Sequence, residues 1–147
     1  MSAEETGKGS EMIKFTEMIS IVIPVYNEEG NLEILFQEVT HVLDQISDNY
    51  EIIFVDDGSN DNSLEILIDI HKRDQRAKII QFRRNFGQTS AFSAGIDHAS
   101  GEFIVTLDAD GQNNPEDIPR LIDEVYQHNC DFVTGWRINR KESLIRR

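Results

Sequence analysis

Hydrophobic residues along this chain switch between two periods. Ile19-Ser20-Ile21-Val22-Ile23-Pro24-Val25 is a short β-branched run, which predicts a strand. Pro24 lacks an N–H, so this strand should end near it or lie exposed on that side. From Asn31 to Ile46, Leu32, Leu35, Phe36, Val39, Val42, Leu43 and Ile46 recur at helical spacing. Tyr50 to Val55 is a second strand. Asn60 or Asp61 is placed to cap the next helix, whose apolar residues are Leu64, Ile66, Leu67, Ile68 and Ile70. Lys78 to Phe82 is a third strand. A turn at Asn85 and Gly87 then opens a helix of small residues (Ser90, Ala91, Ser93, Ala94, Gly95, Ala99) able to sit close to a sheet. Gly101 ends it. Glu102 to Leu107 is a fourth strand, and Pro115 starts a helix carrying Ile118, Leu121, Ile122 and Val125. Asp131 to Thr134 is a fifth strand. The connections are too long for hairpins, so the expected class is α/β, a mainly parallel sheet flanked by helices. The short apolar runs bounded by turn residues are expected to be buried strands.

The length fits one domain. It is expected over residues 18–136, after a polar, disordered lead-in at 1–17 and before a basic tail at 137–147. The formal net charge of −13 argues against nucleic acid as a partner. It leaves room for a nucleotide, which a metal can bridge to carboxylates. Charge is uneven: after Trp136 stand Arg137, Arg140, Lys141, Arg146 and Arg147 against Glu142 alone. That end should face something anionic. The single cysteine, Cys130, excludes an internal disulfide and fits a reducing compartment. Met1 to Glu17 lacks the apolar centre of a secretory signal. No run reaches the roughly 18 apolar residues of a membrane span, so the chain as it stands reads as soluble.

Two acidic clusters follow apolar runs: Asp56-Asp57-Gly58-Ser59 after the second strand and Asp108-Ala109-Asp110 after the fourth. Ligands of open parallel sheets bind beyond the carboxyl ends of the strands. Asp108 and Asp110, at i and i+2 in an extended segment, point the same way. They can share Mg²⁺ or Mn²⁺, with Gln112 as a nearby neutral oxygen. Against this stands a solvated loop, since a lone D-x-D is common. A carboxylate at the end of the second strand can accept N–H donors from a base ring, or the segment is only turn and cap chemistry. After the first strand, Tyr26 could stack on a base and Glu28 could accept from base or ribose; otherwise Asn27 is a cap and the glutamates complement a helix dipole. Arg83 and Arg84 could hold phosphate or be a solvated pair. His41, His71, His98 and His128 show no ligand spacing, and Cys130 reads as packing. No G-x-S-x-G or phosphate-binding loop occurs.

Taken in order, Pro24-x-Tyr26-Asn27-Glu28-Glu29, Asp56-Asp57-Gly58-Ser59, Arg84-Asn85-Phe86-Gly87 and Asp108-Ala109-Asp110-Gly111-Gln112-Asn113-x-Pro115 resemble the family 2 glycosyltransferases of the GT-A (Rossmann-like) fold. Within that family the chain is most similar to the polyprenyl-phosphate branch, which includes dolichol-phosphate and undecaprenyl-phosphate sugar transferases. The resemblance runs from about Ile19 to Arg147. It implies that Pro24, Tyr26, Glu28 and Asp57 surround the nucleotide, joined by Asp108. Asp108, Asp110 and Gln112 would hold Mg²⁺ or Mn²⁺ and the donor diphosphate. Asp110 and Arg137 would act in catalysis, Arg137 at the acceptor phosphate.

The implied reaction moves a sugar, expected to be a hexose on UDP and less readily on GDP, to a polyprenyl phosphate with inversion. The implied location is cytoplasmic, at the cytoplasmic face of a membrane reached through the basic tail and further C-terminal segments; an oligomer is compatible. Family members usually continue past this point, so the donor half is expected here and most of the acceptor half is not. Two alternatives accompany this reading. One is a nucleotide-sugar-binding fragment without activity. The other is a signalling receiver domain, whose acidic pair normally follows the first strand and whose fifth strand ends in lysine rather than Thr134-Gly135-Trp136.

Overall fold

Four apolar runs form one parallel sheet: β1 (Ile19–Val25), β2 (Tyr50–Asp56), β3 (Ala77–Gln81) and β4 (Phe103–Thr106). Their order is β3-β2-β1-β4. In register, Ile19 stands beside Tyr50 and Phe103, and Ile52 beside Ala77. Four helices connect and follow them: α1 (Leu32–Ile46), α2 (Ser63–Arg73), α3 (Gln88–His98) and α4 (Ile118–His128). A 3-10 turn at Pro115–Asp117 leads into α4. This computed structural model describes residues 14–133.

The sheet separates two apolar layers. On one face Ile19, Ile21, Ile23 and Val25 pack with α1, with Leu67 and Ile70 of α2, and with Ile118 and Ile122 of α4. On the other face Ile53 and Val55 meet Ala91 of α3. β1 and β2 are covered on both sides, which is why they read as continuous apolar runs. The small residues of α3 serve the close approach expected of them. A Cβ at Gly95 would lie 2.3 Å from Val22 Cγ1 and 3.2 Å from Val55 Cγ2.

Several expectations shift. β1 continues through Pro24, which stands beside Val55 in the middle of the sheet. The Val22 carbonyl accepts from Leu107 N on the β4 side, while Val25 O accepts from Asp57 N on the β2 side. By alternation Pro24 faces the β4 side, where pairing has already ended at Thr106, so its missing N–H breaks no ladder bond. β4 is shorter than expected and half-exposed. With β3 it is one of the two outer strands among the described residues, and Ile104 is 42% exposed. α3 ends at His98, before Gly101. A Cβ on Gly101 would meet Ser20 N at 2.7 Å, so this glycine serves a close backbone approach. Asp131 to Val133 carry no strand, and Thr134 lies outside the described residues. The lead-in is ordered earlier than residue 18: Phe15 is buried, donates its N–H to Ile46 O at 2.7 Å and meets the Phe103 ring edge-on.

The amino-terminal edge of the sheet holds a buried polar cluster. Glu51, 1% exposed, accepts from Ser20 Oγ and Ser100 N, both at 2.7 Å, and from Lys78 Nζ. Burial works to raise the Glu51 pKa, but the hydrogen bonds from Lys78, Ser100 and Ser20 outweigh it and hold the carboxyl below its ordinary value. This cluster lies at the opposite edge from the acidic loops.

Candidate functional site

All four strands run the same way, so the segments that follow them emerge at one rim. Tyr26 to Glu29, Asp57 to Asp61, Phe82 to Gly87 and Asp108 to Gln112 therefore share the carboxyl edge of the sheet. β4 lies beside β1 while β2 lies on the other side of β1. Successive connections diverge there, and that is where an open α/β sheet forms its ligand crevice. The same order excludes a receiver, whose third strand would neighbour the first.

The loops after β1 and β2 form one unit. Asn27 adopts a left-handed backbone at φ 52°. Its N–H donates to Ser59 Oγ at 3.0 Å, and its Oδ1 accepts from Asn60 N at 2.7 Å and Asp61 N at 3.3 Å. Glu29 N donates to Asp61 Oδ2, while Asn62 N donates to Glu29 Oε2. Glu28 N donates to Ser63 Oγ, and Asp61 Oδ1 accepts from Ser63 N at 2.9 Å. Desolvation opposes the charge on Asp61, but the bonds from Ser63 and Glu29 N outweigh it and lower its pKa. Asp61 thus satisfies the start of α2 from just outside the helix. The two motifs occur together because each loop supplies the partners for the other's backbone.

This platform presents Tyr26, 45% exposed, to a cleft of about 320 Å³ that Asp56, Gly58, Phe82, Arg84 and Asn85 also line. Aromatic rings and arginines in one cleft suit a planar, anionic ligand. Asp56 Oδ1 is buried there without a hydrogen-bond partner among the described residues. Such an orphan acceptor is costly unless water or a ligand donates to it. Sequence reasoning passed over Asp56 because both members of the pair read alike; only the strand's alternation separates them. Glu28 is half-buried, and its Oε2 accepts from Asn31 Nδ2 at 2.7 Å. Pro24 lies within β1 and does not line this cleft.

Asp57 is 3% exposed and is committed to the loop after β3. Its Oδ1 accepts from Phe86 N at 2.7 Å, and its Oδ2 from Gly87 N at 3.1 Å and Asn85 Nδ2 at 3.3 Å. A carboxylate has about four acceptor positions, so three donors nearly saturate Asp57, which does not line the cleft beside Tyr26. Gly58 makes this clamp feasible. At φ +74° it lies so close to the same loop that a Cβ would stand 2.4 Å from the Arg84 carbonyl carbon.

The second acidic cluster sits beside the start of α3. Leu107 and Ala109 turn into the core while Asp108 and Asp110 turn away from it, although Asp110 already lies in a turn and not in the expected extended segment. Gln88 Nε2 donates to Asp108 Oδ1 at 2.8 Å, and Asn113 Oδ1 accepts from Asp108 N at 2.8 Å. Asp110 Oδ1 accepts from Gln112 N at 3.0 Å. Each aspartate therefore has one oxygen tied, and Oδ2 of each accepts no hydrogen bond among the described residues. Among the described residues no group of three or more His, Cys, Asp or Glu converges to cage a metal there. Two carboxylates fit a hard cation that arrives with a diphosphate, because Mg²⁺ is commonly held by one or two carboxylates and substrate phosphates. Gln112 lines a separate cleft of about 340 Å³ with Glu38, His41 and Glu116. Arg137 lies outside the described residues. Among the described residues no helix is long and apolar enough to cross a membrane.

The sequence profile described as Glycosyl transferase family 2 matches residues 20–146. The chain is 44% identical over 132 residues to an undecaprenyl-phosphate 4-deoxy-4-formamido-L-arabinose transferase of Aeromonas hydrophila, covering 89% of this chain and 40% of that protein. A Yersinia pestis protein of the same name is 47% identical over 130 residues, covering 88% and 39%. The chain thus spans about two fifths of the length of these relatives. In fold it is similar to a mannosyltransferase from Pyrobaculum calidifontis solved with GDP-Man and Mn²⁺ (TM-score 0.67, 19% identity, 84% of this chain and 38% of that one). It is likewise similar to Staphylococcus aureus TarS 1-349 solved with UDP (TM-score 0.62, 24% identity, 76% and 33%). These neighbours are GT-A glycosyltransferases.

Proposed function

The chain belongs to glycosyl transferase family 2, and from that premise we propose that it forms the donor-binding part of an enzyme that moves a sugar from a nucleoside diphosphate to a polyprenyl phosphate. The observation that carries this reading is the convergence at one rim of a cleft beside Tyr26 and a carboxylate pair with two open oxygens. Tyr26 would stack on the base, with Glu28 accepting from base or ribose and Asp57 fixing the loop that lines the cleft. UDP is favoured over GDP. The expected hexosyl donor now has a competitor, since the relatives are named for a 4-deoxy-4-formamido-L-arabinose.

The chemistry follows from charge. A phosphate monoester has a second pKa near about 6, so the acceptor is largely a dianion at neutral pH and needs little help from a base. Its oxygen bonds to the anomeric carbon from the side opposite the leaving group. The carbon–oxygen bond to the diphosphate breaks, the nucleoside diphosphate departs and the configuration inverts. Mg²⁺ or Mn²⁺, when bound, would neutralise charge on that leaving group. Asp108 and Asp110 would hold the cation through their open oxygens, with Gln112 beside them. Arg137 and the neighbouring basic residues would meet the acceptor phosphate at the cytoplasmic face of a membrane.

The test is transfer by the longer protein with Mn²⁺ and a panel of UDP-glucose, UDP-4-deoxy-4-formamido-L-arabinose and GDP-mannose. Asp110→Asn should lower turnover by ~10² or more. Near-normal turnover in that variant overturns the metal role. The share of the relatives' length that this chain covers favours a second reading, in which residues 1–147 bind the donor without transferring it. Binding of UDP without transfer by this chain supports that second reading, and transfer by this chain alone refutes it.

A further inference from the structure

We propose that Gln88 is a positioning residue for the donor diphosphate, acting through Asp108; the inference rests on the reading of Asp108 as part of the metal grip. Gln88 is the first residue of α3 and does not line the base cleft. Its side-chain amide reaches across to Asp108 Oδ1 at 2.8 Å. Asp108 is held from the other side by its own N–H on Asn113 Oδ1. The Gln88 bond leaves the carboxylate with Oδ2 as its open oxygen, and the Asn113 bond fixes the backbone that carries it. A carboxylate free to rotate offers a cation several geometries and loses that freedom on binding; one already fixed loses less. The donor is a neutral amide, so it orients Asp108 while leaving the full negative charge for the cation.

The position of Gln88 is set in turn by the base end of the site. Asp57 accepts the N–H groups of Phe86 and Gly87, the two residues before Gln88. Asn85 also donates to Asp57 and lines the base cleft. A short segment, 85–88, thus ties the carboxylate after β2 to the carboxylate after β4 across β1. A ligand that pulls on Asn85 acts on the segment that orients Asp108. This connection is not readable from the sequence, where Gln88 is only a polar residue at a helix start.

The experiment is calorimetric titration of the 147-residue chain with UDP, once with Mn²⁺ and once with a chelator. Gln88→Met keeps the length and removes the donor. It should weaken the UDP affinity measured with Mn²⁺ by about 3–10-fold, the equivalent of one hydrogen bond. The loss should be absent in chelator, and the melting temperature should stay put. Gln88→Lys, which keeps an N–H donor but places a positive charge beside the cation, should not recover the parent's affinity in Mn²⁺. An equal loss with and without Mn²⁺, or no loss in Gln88→Met, overturns the proposal. Asp108→Asn separates the two levels. If it abolishes the Mn²⁺ dependence while Gln88→Met does nothing, only the role of Gln88 fails. If Asp108→Asn itself binds Mn²⁺ and UDP like the parent, the metal reading fails and the role of Gln88 falls with it.

Discussion

Gly58→Ala tests the packing of the site most directly. Two costs combine at this position. The backbone sits at φ +74°, where a Cβ costs about 1–2 kcal/mol. The new carbon would also lie 2.4 Å from Arg84 C and 2.5 Å from Asn85 N. Both are backbone atoms, so no rotamer change relieves the contact. Overpacking of this kind adds about 1–3 kcal/mol. The sum of about 2–5 kcal/mol corresponds to a melting shift on the order of 6–20 °C for a domain of this size. Gly111→Ala is the matched control: its φ is +78° with nothing within 4 Å of a Cβ, so only the backbone cost applies. If the Gly58 variant instead relieves the clash by moving residues 84–85, only the backbone cost remains, so it melts with Gly111→Ala and loses UDP affinity, because Arg84 and Asn85 line the cleft. Thermal melts and UDP titration of both variants decide it. A Gly58→Ala protein that melts within about 2 °C of Gly111→Ala and binds UDP like the parent refutes the contact argument.

Further outcomes follow from the same geometry. Gly95→Ala gains about 1 kcal/mol of helix propensity but drives a Cβ to 2.3 Å from Val22 Cγ1 in the filled sheet face, so it should be destabilising by about 1 kcal/mol net; a variant more stable than the parent in urea would contradict this. Glu51 has a folded-state pKa below its unfolded value of about 4.3. The unfolded chain therefore binds more protons in that window, and the contribution of Glu51 is full above about pH 5 and lost as pH falls through the folded pKa. The stability gap between parent and Glu51→Gln should close on acidification; a gap that is constant between about pH 7 and pH 3 would refute it. Asn27→Ala should cost about 1–3 kcal/mol from the left-handed backbone and the lost side-chain acceptor, and Asn27→Gly should recover only the backbone part. Equal melting of these two variants would show that the φ of Asn27 carries no cost.

Sequence alone determined the alternation of strands and helices, because burial on one helix face or both sheet faces leaves a period that survives without coordinates. β1, α1 and β2 appear within a residue of their expected bounds for that reason. It also determined that Asp57 and Asp108 would leave strand ends at one rim, since connections too long for hairpins dictate parallel strands. Tertiary structure decided the rest, because the relevant partners lie far apart in the chain. The sheet order placed Pro24 where its missing N–H breaks no ladder bond. Asp56 and Asp57 are neighbours with opposite fates: one lines a cleft with an unmatched oxygen, and the other clamps a loop 29 residues away. Gln88 carried no periodic or motif signal, and the motif that holds Asn27 suggested only a cap, because their roles are hydrogen bonds across 20 and 33 residues, and such bonds exist only once the loops have been brought together.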